Sequence, residues 1–168
     1  KLAGQQWRFP LFYWDYTIGV LIITLILAFT LGSSGEEGRS FLADFGQADS
    51  SSLRSAFLGG VVFNIANLLL VVAIDIAGMA VAFPVGIGLA LVIGVIVNYI
   101  ASPVGDPLYI FLGVALVAAA IILDAIAYGK LPKPEGQQTR KGLIISLVAG
   151  VLMGFFYRFV AASMATDF

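Results

Sequence analysis

Two asparagines and an aspartate interrupt the apolar run NIANLLLVVAID at residues 64–75. An amide offers both donors and an acceptor, and a carboxylate can take up a proton. On a helix each residue advances about 100°, so with Asn64 at zero, Gly60 falls near about −40°, Asn67 near about −60°, Asp75 near about +20° and Gly78 near about −40°. They share one face, and the rest of the helix is Val, Ile, Leu and Ala. The plainer reading is that a membrane Asn only bonds a neighbouring helix, a contribution of about 1 kcal/mol. Two on one face with a carboxylate fit the lining of a water-accessible cavity better, because intramembrane polar groups mark pathways.

Other polar residues sit in apolar surroundings. Asp15 and Asp124 each lie within a few residues of a span end, where solvation of the helix end is an equal alternative to a role in transport. Arg158 ends the stripe Ser146, Gly150, Gly154, Arg158, whose small residues at four-residue steps let two backbones approach closely. A guanidinium there asks for a counter-charge, a polar ligand or an escape to the membrane surface. Gly86, Ala90, Gly94 and Asn98 make a second such stripe. FPVGIG, residues 83–88, combines Pro84 with Gly86 and Gly88 and predicts a broken or kinked helix. A break at membrane depth is tolerated only against protein or water. Freed carbonyls beside Asp75 could then hold a cation or proton.

Some chemistry is excluded. The chain has no Cys and no His, so disulfides, thiol chemistry, His-ligated metals and His-dependent nucleophiles are out. No catalytic residue, metal site or cofactor is expected, and proton handling falls to carboxylates such as Asp75 and Asp124. A carboxylate held in hydrocarbon exchanges its proton nearer neutral pH than one in water.

These residues need elements to hold them. The chain is 60% hydrophobic and 11% charged, against about 45–50% and about 25% in soluble domains. Its net charge of −1 argues against a nucleic-acid partner. A helix crossing the bilayer needs about 20 apolar residues. That ruler gives five spans, near residues 13–32, 56–77, 79–101, 106–128 and 142–164, with Gly78 breaking the long central run into two. The expected fold is therefore all-α, a polytopic transmembrane bundle. Residues 33–54, SSGEEGRSFLADFGQADSSSLR, read as one long polar loop, and residues 129–141, GKLPKPEGQQTRK, as a basic one.

Lys1, Arg8, Lys130, Lys133, Arg140 and Lys141 fall on one side of the spans and only Arg39 and Arg54 on the other, so the basic loop is expected in the cytoplasm. The aromatic cluster FYWDY, residues 12–16, suits an interfacial belt. Residues 1–10 lack the apolar core of a signal peptide, and the chain reads as a piece of a longer one.

FYWDYTIG, together with GGVVFNIANLLLVVAIDIAGMAVAFPVGIGLALVIGVIVNY, resembles the drug/metabolite transporter superfamily, within it the branch of the plant ureide permeases and the bacterial glucose and rhamnose porters. The marks are Trp14-Asp15-Tyr16, Gly60 to Asn64, the break at Gly78 and Val97-Asn98-Tyr99. The resemblance implies ten helices in two inverted five-helix repeats. Residues 1–128 would then be the first repeat without its opening helix, 129–141 the cytoplasmic linker, and 142–168 the first helix of the second repeat, with four more to come. It also implies secondary transport of small polar metabolites, ureide- or sugar-like, by proton symport in the cell membrane. Asn64, Asn67, Asp15, Tyr16, Asn98 and Arg158 are the candidate solute-binding residues, and Asp75 and Asp124 the candidates for proton coupling. The expected partners are the lipid bilayer, a small polar solute and protons, with a homo-oligomer left open. An exporter of amphipathic compounds and a non-transporting membrane subunit are the alternatives.

Overall fold

A computed structural model describes residues 9–34, 38–130 and 139–164. The expectations placed on residues 1–8, 35–37, 131–138 and 165–168, which include Lys1, Arg8, Lys133 and most of the basic linker, lie outside the described residues. Among the described residues every regular element is a helix: α1 Phe9–Phe29, α2 Phe41–Gln47, α3 Ser50–Ala77, α4 Met79–Ala101, α5 Pro107–Gly129 and α6 Thr139–Ser163. All but α2 are long and apolar enough to cross a membrane. They form two units, α1 with α2, and α3 to α6.

In the first unit α1 is a nearly unbroken apolar helix with exposed sides. The loop beyond it is shorter than residues 33–54 suggest, because Phe41–Gln47 is helical and α3 already begins at Ser50. The aromatic rings fix α2: Phe41 meets Phe29 edge-on at 5.3 Å and Phe45 at 6.0 Å. The backbone N–H of Phe41 donates to the Ser33 hydroxyl at 3.2 Å, and Arg39 pairs with Asp44 at 3.5 Å.

The second unit is built on small residues. Gly78 turns the chain between α3 and α4 at φ 83°, ψ 151°, a region that only glycine enters without strain. Asp106 caps α5, its carboxylate accepting from the Leu108 N–H at 2.8 Å, with Pro107 at the first helical position, where the missing N–H costs nothing.

Helix α6 packs between α3 and α4. It runs antiparallel to α3, since Gly59 lies against Val160, Phe63 against Phe156, and Gly142 against Ala77. It runs parallel to α4, with Gly86 facing Ser146 and Gly150, and Gly94 facing Gly154. On the other side of α4, Gly88 receives Ile121 of the antiparallel α5, and Tyr99 meets Phe111 edge-on at 5.4 Å.

The two small stripes of the sequence thus face each other. A methyl group on Gly150 would lie 2.6 Å from the Gly86 carbonyl oxygen, and one on Gly154 would lie 3.3 Å from that of Ala90. Without an aqueous hydrophobic drive between membrane helices, such close backbone approach supplies the dispersion contact that holds them. Ser146, fully buried in this seam, donates back to the Gly142 carbonyl at 2.9 Å and so stays satisfied.

The helix is not interrupted at Pro84, Gly86 and Gly88: of the broken or kinked segment expected there, the break is absent, since α4 continues through all three. Pro84 stands in the second turn and forfeits a single backbone bond, to Ala80. The two glycines serve close packing instead, Gly86 against Leu70 and α6, and Gly88 against Ile121.

Candidate solute-binding site

The packed face of α3 is Gly59, Ala66, Leu70, Ala73 and Ala77. At about 100° per residue this face points nearly opposite to Asn64. Asn64 and Asp75 are accordingly exposed on the second unit and Asn67 is half-buried. The polar face expected to turn into the bundle therefore turns away from α4 and α6, because alanine and glycine give α3 its closest approach. Asp124 on α5 is exposed too. Asp15 and Tyr16 belong to the first unit, where both are exposed and Tyr16 stacks at an angle on Tyr13, 6.0 Å away.

Asn98 and Arg158 are brought together. They stand at matching positions of the facing stripes, one turn beyond Gly94 and Gly154. A pocket of about 1020 Å³ opens there between the two helices, at the end of the unit that carries the 102–106 turn. Toward the middle of the helices its lining is apolar, with Ile87, Ala90, Leu91 and Met153. Its mouth holds Asn98, Tyr99, Ser102, Tyr157 and Arg158. The Asn98 amide is fixed by donating one hydrogen to the Gly94 carbonyl at 2.8 Å, which leaves its second N–H and its oxygen for other partners. Phe63 and Phe156, 4.9 Å apart, add an aromatic wall.

Sequence reasoning selected Asn98 and Arg158 but passed over Tyr157, Ser102 and Phe63. Tyr157 adjoins Arg158, and the signal available was the matched four-residue stripes, which place residues 98 and 158 at one level once the helices are known to be parallel.

Residues 12–131 match the family described as Ureide permease. The chain belongs to the ureide permease family. It is 30% identical over 129 residues to Ureide permease 1 of Arabidopsis thaliana, covering 76% of this chain and 33% of the relative. Ureide permease 2 of the same plant is 28% identical over 120 residues, 69% of this chain and 30% of the relative. Probable ureide permease A3 of Vigna unguiculata is 30% identical over 115 residues, 66% and 31% respectively. The chain thus spans about a third of the length of these relatives. No solved structure matches it.

Proposed function

We propose that this ureide permease chain is part of a secondary transporter that moves small polar solutes, ureide- or sugar-like, across a cell membrane by alternating access. The observation that carries the reading is the family match over residues 12–131, on a chain with five helices long and apolar enough to span. In keeping with the drug/metabolite transporter resemblance, the complete transporter would have ten helices in inverted repeats, with α6 opening the second. The α4–α6 pocket, with Asn98 and Arg158 at its mouth, is the solute site in this reading. Asn64, Asn67, Asp15 and Tyr16 would line the pathway, and no step requires an enzyme's nucleophile or a cofactor.

Transport would be coupled to protons through Asp75, with Asp124 as the second candidate. Asp75 has no hydrogen-bond or ion-pair partner among the described residues. Uptake by the full chain in liposomes, driven by a pH gradient, tests this. Asp75→Asn, nearly isosteric, should insert normally, lose accumulation against a gradient and retain solute exchange at equal pH. Accumulation as good as the parent's would remove Asp75 from coupling.

A second reading, export of amphipathic compounds, is favoured by the apolar lining and aromatic wall of the pocket. Liposomes loaded with an amphipathic dye would distinguish it by outward, gradient-driven loss.

A further inference from the structure

Every polar side chain at the mouth of the α4–α6 pocket can donate a hydrogen bond, and among the described residues no carboxylate lines it. Arg158 brings five N–H donors in a rigid fork and a permanent positive charge. Its guanidinium and the hydroxyls of Tyr99, Ser102 and Tyr157 have no hydrogen-bond or ion-pair partner among the described residues. Asn98 adds its remaining N–H. Ser102, Tyr157 and Arg158 are exposed on this unit, so their donors are open to a ligand that brings an acceptor. The walls are aromatic rings, and such a cage would suit a cation if it were neutral. Here Arg158 repels one. What remains is a flat body laid against the rings with an oxyanion at one end, in a volume at the top of the roughly 300–1,000 Å³ range of ligand pockets.

We propose that this pocket takes a planar solute bearing a carboxylate, with Arg158 gripping both carboxylate oxygens, the hydroxyls of Tyr99 and Tyr157 supporting them, and the apolar lining receiving the flat remainder. Arg–carboxylate pairing is bidentate and about twice as strong as a neutral hydrogen bond, so the charge and not only the shape of the ligand is selected. The proposal rests on the transporter reading for movement of the bound solute across the membrane, but binding itself is measured separately.

The full chain, purified in a neutral detergent, is titrated with benzoate and with its uncharged amide, benzamide, by thermal shift and calorimetry. Benzoate should bind about tenfold or more tightly than benzamide. Arg158→Gln should erase that preference, Arg158→Lys should recover part of it, and Asn98→Asp should weaken benzoate at least tenfold while sparing benzamide. The lysine and Asn98 variants keep the test open if the glutamine variant does not fold. Equal binding of benzoate and benzamide to the parent, or a preference that survives Arg158→Gln, overturns the proposal. Stabilisation by phosphatidylglycerol added to the micelles, with no response to benzoate, overturns it also and assigns Arg158 to a lipid phosphate. Uptake of neutral solutes without a carboxylate preference leaves the transporter standing and the proposal refuted. Arg158-dependent benzoate binding without any transport does the reverse.

Discussion

At the scale of single residues, the chain separates glycines that hold helices together from glycines that merely occur in them. A Cβ on Gly150 would meet a backbone carbonyl oxygen, that of Gly86, at 2.6 Å, and the Leu89 side chain at 3.1 Å, whereas one on Gly113 would meet nothing within 4 Å. A side chain can rotate away but a carbonyl inside a helix cannot, so α6 must move as a body. Gly150→Ala should therefore destabilise the α3–α6 unit by about 1–3 kcal/mol, the usual cost of overpacking. Gly113→Ala should be neutral or stabilising by about 0.5–1 kcal/mol, the helix preference of Ala over Gly. Thermal unfolding of the purified variants checks both, and equal behaviour would show that the α4–α6 seam is not as tight as its geometry requires. The stripe itself was legible in the sequence, because four-residue spacing of small residues has one physical use in a membrane. Its partner was not, since spacing on one helix says nothing about which neighbour it meets.

At the scale of elements, the α3–α4 hairpin depends on one dihedral pair. Gly78, at φ 83° and ψ 151°, lies outside the left-handed helical region that Asn tolerates, in a region essentially reserved for glycine. Gly78→Ala and Gly78→Asn should then cost about the same, roughly 1–3 kcal/mol each, and rescue by Asn would mean the turn is an ordinary left-handed one. Thermal unfolding together with protease cutting near residue 78 provides the measurement. The length ruler read this turn from sequence, because an apolar run of twice the spanning length must fold back somewhere and glycine is where it can. The same reasoning failed at two other elements. In FLADFGQ the apolar residues 41, 42 and 45 have helical spacing, but a Gly- and Ser-rich setting outweighed it. In α4 the proline signal was overrated, because a proline in the second turn removes one bond and leaves the packing of Val85, Gly86 and Gly88 intact. Nor could periodicity reveal which side of α3 is covered. It placed Asn64, Asn67 and Asp75 on one face correctly, and small-residue packing chose the opposite face.

At the scale of the whole molecule, we propose an orientation from charge, and it bears on what the pocket could do. Counting along five alternating spans, six of the nine Lys and Arg are expected on the side of the basic stretch at residues 129–141, against Arg39 and Arg54 on the other, and such an excess would favour the cytoplasm. The fold would carry this assignment to the pocket: α6 begins beside the Gly78 turn and runs parallel to α4, so the 102–106 turn and the mouth with Asn98 and Arg158 lie at the opposite end, which on this proposal is the outer one. A solute would then enter this site from outside, as uptake requires. The absence of cysteine makes the check clean, since one introduced thiol is the only target. With a membrane-impermeant maleimide on sealed cells, Gln47→Cys should be labelled at once and Gln137→Cys only after the membrane is opened. Labelling of position 137 but not 47 from outside would invert the molecule, place the Arg158 pocket on the cytoplasmic side, and turn the same geometry into a site that collects its solute from within.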